Sequence, residues 1–239
     1  MIGAPNVADP YAATLTHTFL MAGTPTTTNC TSKVSNGVMI YAGDCAISGK
    51  SLTAAQILLL ANTRISGPWN INSGQTVDLS PGTYWVAGDL TLQSRAVLGC
   101  SACDNTTGAG VTIILTAQTS KIGGVSVAST ATLALNAPNS GRLAGLAIVQ
   151  DSNGLPPGTT YNSSHSTIGG TPGARLNGLV YFPNSSMTFH GAPSAVGPEC
   201  LVLVVRTLNL DAASRLETNG CASAGLSNLP SIRTVAVAE

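Results

Sequence analysis

The sequence predicts an all-β protein, and within that class a right-handed parallel β-helix (β-solenoid) with an N-terminal cap that has room for one short helix. Three observations carry the prediction. First, Asp78 to Gly99 holds two short extended runs, Thr83 to Ala87 and Leu90 to Gln93, separated by Gly88-Asp89 and flanked by Pro81-Gly82 and Ser94-Arg95. Strands this short, broken by turns every few residues, suit a coiled sheet better than a meander of hairpins. Second, a phrase of apolar-x-apolar, a few small or polar residues and a further apolar position recurs. It reads Trp69-Asn-Ile71 leading to Val77 and Leu79, Leu90-Thr-Leu92 leading to Val97 and Leu98, and Val125-Ser-Val127 leading to Leu133 and Leu135. It returns as Met187-Thr-Phe189 and as Leu208-Asn-Leu210 leading to Leu216. The step from Ile71 to Leu92, and again from Phe189 to Leu210, is about 21 residues, which points to a repeat architecture. Third, the chain has only three Phe and two Trp, so its core is built from small aliphatic side chains, as a narrow solenoid requires. Handedness comes from the prevalence of right-handed β-helices, not from the pattern. The competing reading is a β-sandwich with irregular strands.

The elements follow in chain order. Residues 1–35 show no sustained period: Asp9-Pro10-Tyr11 begins a turn and Thr24 to Asn29 is a loop. Val38 to Tyr41 is the first expected strand. Ser51 to Asn62 reads two ways. Thr53-x-x-Gln56 matches a capping box before good helix formers, yet the same residues could form a strand of the first coil. In either form they are a candidate cap for the open end of the stack. Ile65 to Gly99 contains the first clear coils, and Asp104 to Ala109 is a polar loop. Val111 to Thr116 is the purest strand in the chain, Asn136 to Gly141 a turn, and Leu143 to Val149 another extended run. Asp151 to Gly173 is rich in Ser, Asn, Gly, Pro and Thr and too long for a simple connection. Leu176 to Gly191 and Cys200 to Leu216 complete the repeats, and Thr234 to Ala238 is a candidate last strand. The expected organisation is an irregular segment 1–35, a solenoid domain 36–222 with a loop insertion at 151–173, and a tail 223–239.

Composition narrows the function. Of 239 residues only 8% are charged, and the net charge is zero, against about 25% charged in typical proteins. Nucleic acid and anionic membrane surfaces both demand basic patches, so neither is an expected partner. Apolar runs such as Ile57 to Ala61 are far too short to span a bilayer. The six cysteines, Cys30, Cys45, Cys100, Cys103, Cys200 and Cys221, suit an oxidising compartment. Many connectivities are open to them. Neighbour pairing would join Cys30 to Cys45, Cys100 to Cys103 and Cys200 to Cys221, the last spanning one repeat. Cys100-Ser-Ala-Cys103 also matches C-x-x-C, but Gly99 before it and Asp104-Asn105 after it make it a loop staple, not a redox site opening a helix. His17, His165 and His190 show no metal spacing, and no cofactor is expected. Met1 to Pro5 lacks a basic and an apolar region of the secretory type. The expectation is therefore a soluble piece of a longer, exported protein whose targeting segment lies outside this chain.

An enzyme of the polysaccharide-cleaving β-helix kind would need two facing carboxylates. The acids are Asp9, Asp44, Asp78, Asp89, Asp104, Asp151, Asp211, Glu199, Glu217 and Glu239. Asp89 and Asp211 flank repeat strands and could share a face, or serve as turn residues. Gly-x-Ser-x-Gly is absent. Trp69, Tyr84 and Trp85 could stack on sugars, although core or cap positions suit them better, and His190 reads as a solvent-side turn residue. An ice-binding or carbohydrate-binding solenoid would need hydroxyls in one register. Thr91, Thr112 and Thr188 are candidates, with Ser126 and Asn209 at matching sites. The sequons at Asn29, Asn105, Asn162 and Asn184 matter only in a eukaryotic secretory pathway.

A family likeness enters through longer blocks. Leu79-Ser-Pro-Gly-Thr-Tyr-Trp-Val, Gly110-Val-Thr-Ile-Ile-Leu-Thr and Leu146-Ala-Ile-Val-Gln-Asp151 resemble the C-terminal region of TadG-like pilus-assembly proteins of bacterial tight-adherence (Tad) systems. So do Leu176-Asn-Gly-Leu-Val-Tyr-Phe-Pro-Asn-Ser-Ser-Met-Thr-Phe-His-Gly191 and Cys200 to Cys221. The likeness runs from about Asn36 to Cys221 in block order and spacing. It implies an envelope protein with an N-terminal transmembrane anchor, this region lying outside the cytoplasm, and it carries over no catalytic residue. The expected function is a non-catalytic structural or adhesive module, periplasmic or at the cell surface, with protein partners in the envelope or pilus and a sugar surface as a further partner. The loop from Asp151 is the expected contact, with Asp151, Asn153, Tyr161, Asn162 and His165 its candidate residues.

Overall fold

The computed structural model describes residues 9–26, 30–60, 62–104, 107–117, 121–153, 155, 157–161, 166–169, 175–190, 200–210, 221–222 and 225–226. Thr234 to Ala238 and Leu216 lie outside them. The described chain is almost entirely β. One five-residue helix, α1 (His17–Met21), precedes all the strands. In order these are β1 (Thr31–Ser35), β2 (Val38–Ala42), β3 (Cys45–Ser48), β4 (Gln56–Leu59), β5 (Thr63–Ser66), β6 (Trp69–Ile71), β7 (Thr76–Leu79), β8 (Gly82–Ala87), β9 (Leu90–Leu92) and β10 (Val97–Gly99). They continue with β11 (Val111–Thr116), β12 (Lys121–Ile122), β13 (Val125–Val127), β14 (Thr132–Asn136), β15 (Leu146–Gln150), β16 (Thr160–Tyr161), β17 (Ser166–Gly169), β18 (Arg175–His190) and β19 (Leu201–Leu210).

Seventeen of the strands join one hydrogen-bonded, mostly parallel sheet, and β12 pairs with β16 separately. The pairings resolve into three ladders. The first is β2–β4–β7–β10–β14–β18. The second is β3–β5–β8–β11–β15–β18–β19. The third is β6–β9–β13–β17–β18–β19. The chain visits the ladders in turn, so the repeats seen in the sequence stack on one another. Ile71 pairs with Leu92, Val127 with Ile168, and Phe189 with Leu210. The one antiparallel pair among the named strands is β1–β2 at the N-terminal edge. Its turn is Asn36-Gly37, with φ of 50° and 81°, the two positive values that a tight hairpin requires. This hairpin crosses the expected boundary at residue 35.

Alternation explains the packing. In β6, Trp69 and Ile71 are buried and Asn70 is exposed; β13 repeats the pattern with Val125, Ser126 and Val127. The inward side chains of all three ladders, among them Leu79, Leu98, Val86, Ile113, Leu92 and Val127, form one apolar cluster. Two buried amides serve it. Gln75 Nε2 donates to the carbonyls of Leu52 (2.9 Å) and Ala54 (2.6 Å), while its Oε1 accepts from Asn72 N. Gln150 Nε2 donates to Gly123 O (2.9 Å) and its Oε1 accepts from Ser185 Oγ. Gly88 (φ 145°) and Gly123 sit where the chain passes from the second ladder to the third. A Cβ on Gly123 would lie 2.0 Å from Gly88 O, so the backbones touch there.

The helical reading of Ser51 to Asn62 is corrected. Gln56 begins β4 and pairs with Thr76, while Gly49–Ser51 makes a single 3₁₀ turn. The apolar positions Ile57 and Leu59 alternate with Leu58, so cross-strand pairing overrides the local helix preference. The helix lies instead at His17–Met21, inside the segment expected to be irregular. Thr16 caps it, its Oγ1 accepting from Phe19 N.

Candidate functional site

The middle of the second ladder, from the second half of β8 through β11 and β15 into β18, is buried on both faces. Val111, Ile113 and Leu115 of β11 join the inner cluster, whereas Ile114 points outward with Trp85, Val149, Leu179 and Tyr181 into a second one. Residues of the N-terminal segment, Leu15 and Leu20, complete that outer cluster, together with Cys200, Cys221 and Leu226. The segment is fastened by polar groups as well. Trp85 Nε1 donates to Leu20 O (3.0 Å), and Arg142 donates to the carbonyls of Phe19 and Ala22 while stacking 5.0 Å from the Phe19 ring. Tyr181 donates to Asp9 Oδ2 (2.5 Å) and meets Tyr11 edge to face. Asn153 Nδ2 donates to Leu15 O (3.1 Å) and to the Tyr181 hydroxyl (2.7 Å).

Asp151 and His17 join the two layers. His17 Nδ1 lies 2.6 Å from Asp151 Oδ2, which also accepts from Thr116 Oγ1 at 3.3 Å. Among the described residues, Asp151 Oδ1 is buried without a partner. Burial pushes the Asp151 carboxyl above its ordinary range, and the hydrogen bond and charge of His17, with the Thr116 hydroxyl, pull it partly back. Tyr84, inside the core with its hydroxyl 2.8 Å from Ser80 O and 3.1 Å from Leu59 O, is raised far above a free phenol, chiefly by burial. Tyr11 is raised too, by burial and then by Asp9.

These positions revise the expected contact loop. Asp151 is fully buried and so is not an outward-facing contact residue, whereas Asn153 is half-buried and bonds the N-terminal segment. Tyr161 ends β16, paired with Ile122. Asn162 and His165 lie outside the described residues. Part of the expected insertion is sheet, since Ser166–Gly169 is β17 of the third ladder. The aromatic residues considered for sugar stacking, Trp69, Tyr84 and Trp85, are all buried. Asp89 Oδ1 accepts from Gly124 N (2.8 Å), Asp44 Oδ1 from Asn62 N (3.1 Å), and Asp78 from Ser101 N and Oγ. Asp211, Glu199, Glu217 and Glu239 lie outside the described residues. His190 is exposed at the end of β18.

Disulfides join Cys30 to Cys45, Cys100 to Cys103 and Cys200 to Cys221. Three disulfides point to an oxidising, extracytoplasmic environment. Among the described residues no helix is long and apolar enough to cross a membrane, and no group of His, Cys, Asp and Glu is arranged to hold a metal ion.

The outer face of the third ladder is a different surface. Asn70 pairs with Thr91, Thr91 with Ser126, Ser126 with Thr167, Thr167 with Thr188 and Thr188 with Asn209. All six side chains are exposed or half-buried. Thr112 does not belong to this row: it lies in the second ladder, buried, and donates to Leu146 O at 2.7 Å. Thr167 falls within the Ser-, Asn-, Gly- and Pro-rich stretch 151–173, whose composition gives no strand signal, so the sequence pattern does not place it in the row.

No family model matches the chain, and neither does any curated protein or solved structure.

Proposed function

We propose that the chain is a non-catalytic, extracytoplasmic structural and adhesive module of a Tad-type pilus-assembly system, folded as a right-handed parallel β-solenoid. The observation that carries the reading is the arrangement of three parallel ladders around a single apolar cluster. Each repeat rests on its neighbours through backbone pairing, which stiffens the stack. Disulfides at the first strands and at β19 add to that stiffness by tying loops back onto the sheet. The reading is further supported by the use of acidic side chains. Asp44, Asp78 and Asp89 hold backbone amides at corners, and Asp151 holds the N-terminal segment. Carboxylates engaged in this way are structural ligands, whereas glycosidic cleavage needs a facing pair open to the substrate.

The test is genetic. In the bacterium that encodes the chain, removing residues 30–222 while keeping any anchor in place should lower pilus number and surface adherence. Restoring them should recover both. Wild-type piliation and adherence in the deletion strain would overturn the assignment.

A further inference from the structure

We propose that the outer row of the third ladder, Asn70–Thr91–Ser126–Thr167–Thr188–Asn209, binds an extended, neutral, unbranched polysaccharide lying along the ladder. The inference goes beyond the pilus reading and does not depend on it. Three observations carry it. The first is register. The six residues are consecutive partners across five parallel pairings, which spaces them at about 4.8 Å and makes a line roughly 24 Å long.

The second is unused hydrogen-bonding capacity. Several hydroxyls elsewhere on the molecule are engaged: Thr112 with Leu146 O, Thr116 with Asp151, Ser66 with Ile47 O, Ser185 with Gln150 and Ser101 with Asp78. Among the described residues none of the six side chains in the row makes a hydrogen bond. Each hydroxyl offers a donor and an acceptor, and each amide offers two of both. The row therefore presents both kinds of group at every step.

The third is charge. The row carries none, which complements a neutral polyol and leaves an acidic polymer without a counter-charge. The matching outward row of the first ladder, Ile40, Leu58, Asp78, Gly99, Ala134 and Arg175, mixes apolar, acidic and basic positions and has no such uniformity.

The shape of the array selects among neutral partners. Only one row is complete. Two residues further along each strand stand Asn72, Gln93, Ala128, Gly169 and His190. Two residues before the row stand Pro68, Asp89, Gly124, Ser186 and Thr207. A crystalline water surface would need hydrogen-bonding groups repeating in two dimensions. A single line fits a single chain of hydroxylated units, held by many weak contacts along its length.

Depletion binding to insoluble cellulose, with soluble hydroxyethylcellulose as competitor, tests the proposal. The wild-type chain should be retained, the competitor should release it, and added salt should change little. The variant Thr91→Ala, Ser126→Ala, Thr167→Ala, Thr188→Ala should lose retention by about tenfold or more. The single change Ser126→Arg, at an exposed position, should do the same and covers a folding failure of the fourfold variant. Gln56→Ala with Thr76→Ala, on the first ladder, should bind as wild type. Equal retention of wild type and row variants overturns the proposal, as does retention only on charged alginate. Failure of the wild-type chain to bind cellulose at all overturns it too. Inhibition of ice growth that the row variants abolish would assign the row to water, and the proposal would fall.

Discussion

The outer faces of the second and third ladders are built on the same parallel backbone and have opposite fates. On the second, Trp85, Ile114, Val149 and Tyr181 stand in register and are covered by residues 9–22, which bury Leu15 and Leu20 against them. On the third, Asn70, Thr91, Ser126, Thr167, Thr188 and Asn209 stand in register and make no side-chain hydrogen bond among the described residues. The inner faces of both ladders are alike. What separates them is the residue at alternate positions, which decides whether a face must find a cover or can meet water. Covering brings a second requirement. Polar groups trapped with the apolar ones are costly unless matched, and Trp85 Nε1, Tyr181 and Asn153 find partners in the N-terminal segment, whereas Asp151 Oδ1 finds none among the described residues.

Trp85→Ala should break the covered face and produces the largest expected effect. The side chain is 2% exposed and its Nε1 holds Leu20 O. Its removal should cost about 4 kcal/mol by analogy with large-to-small core changes. Chemical unfolding would read this as a lower midpoint, and limited proteolysis should cut first near residues 15–22. Loss of stability below about 1 kcal/mol would mean that the N-terminal segment adds little to the fold.

The two faces were not equally legible in the sequence. The third ladder was, because Trp69-Asn-Ile71, Leu90-Thr-Leu92 and Val125-Ser-Val127 alternate with period two and repeat. The strands of the second were also visible as the continuous apolar runs Val111 to Thr116 and Leu146 to Val149. Their cover was not. Helix α1 is five residues long and has no acidic residue in its first turn, too little for a helical signal. Its attachments, His17 to Asp151 and Arg142 to Phe19 and Ala22, join residues far apart in the chain. Thr53-x-x-Gln56 misled for the opposite reason: a local helix signal lay where Gln56 pairs with Thr76 in the first ladder. Asn36-Gly37 is a hairpin signal that could have extended the first strand into a pair.

A smaller effect should come from the ion pair within the cover. His17→Ala leaves the Asp151 carboxylate buried, with Thr116 Oγ1 as its remaining side-chain partner. His17 is about one-third exposed, so the expected cost is about 1–2 kcal/mol near neutral pH, less than for a fully buried pair. The pH dependence has a definite sign. Burial raises the folded carboxyl above its unfolded value of about 4. The folded state then binds the extra proton, so stability is highest below that unfolded value and falls as pH rises through the folded one. Without His17 the downward pull is gone, so the fall should be deeper and extend to higher pH. Unfolding midpoints measured between acidic and neutral pH would show the difference. Asp151→Asn should flatten the dependence in both backgrounds.

The smallest effect should fall on the open face, and its smallness sharpens the contrast. Thr91→Ala, Ser126→Ala, Thr167→Ala and Thr188→Ala remove no hydrogen bond among the described residues and empty no cavity, since the side chains point away from the core. Each should change stability by less than about 0.5 kcal/mol, within the usual range of surface changes. The one systematic cost is lower strand preference where Thr becomes Ala. Thr112→Ala is the matched control. Its hydroxyl is buried and donates to Leu146 O, so losing it should cost about 1–3 kcal/mol. Chemical unfolding of the five single variants would then sort hydroxyls by ladder. If Thr167→Ala or Ser126→Ala proved as costly as Thr112→Ala, the third-ladder row would be part of the scaffold and not a surface left open to solvent.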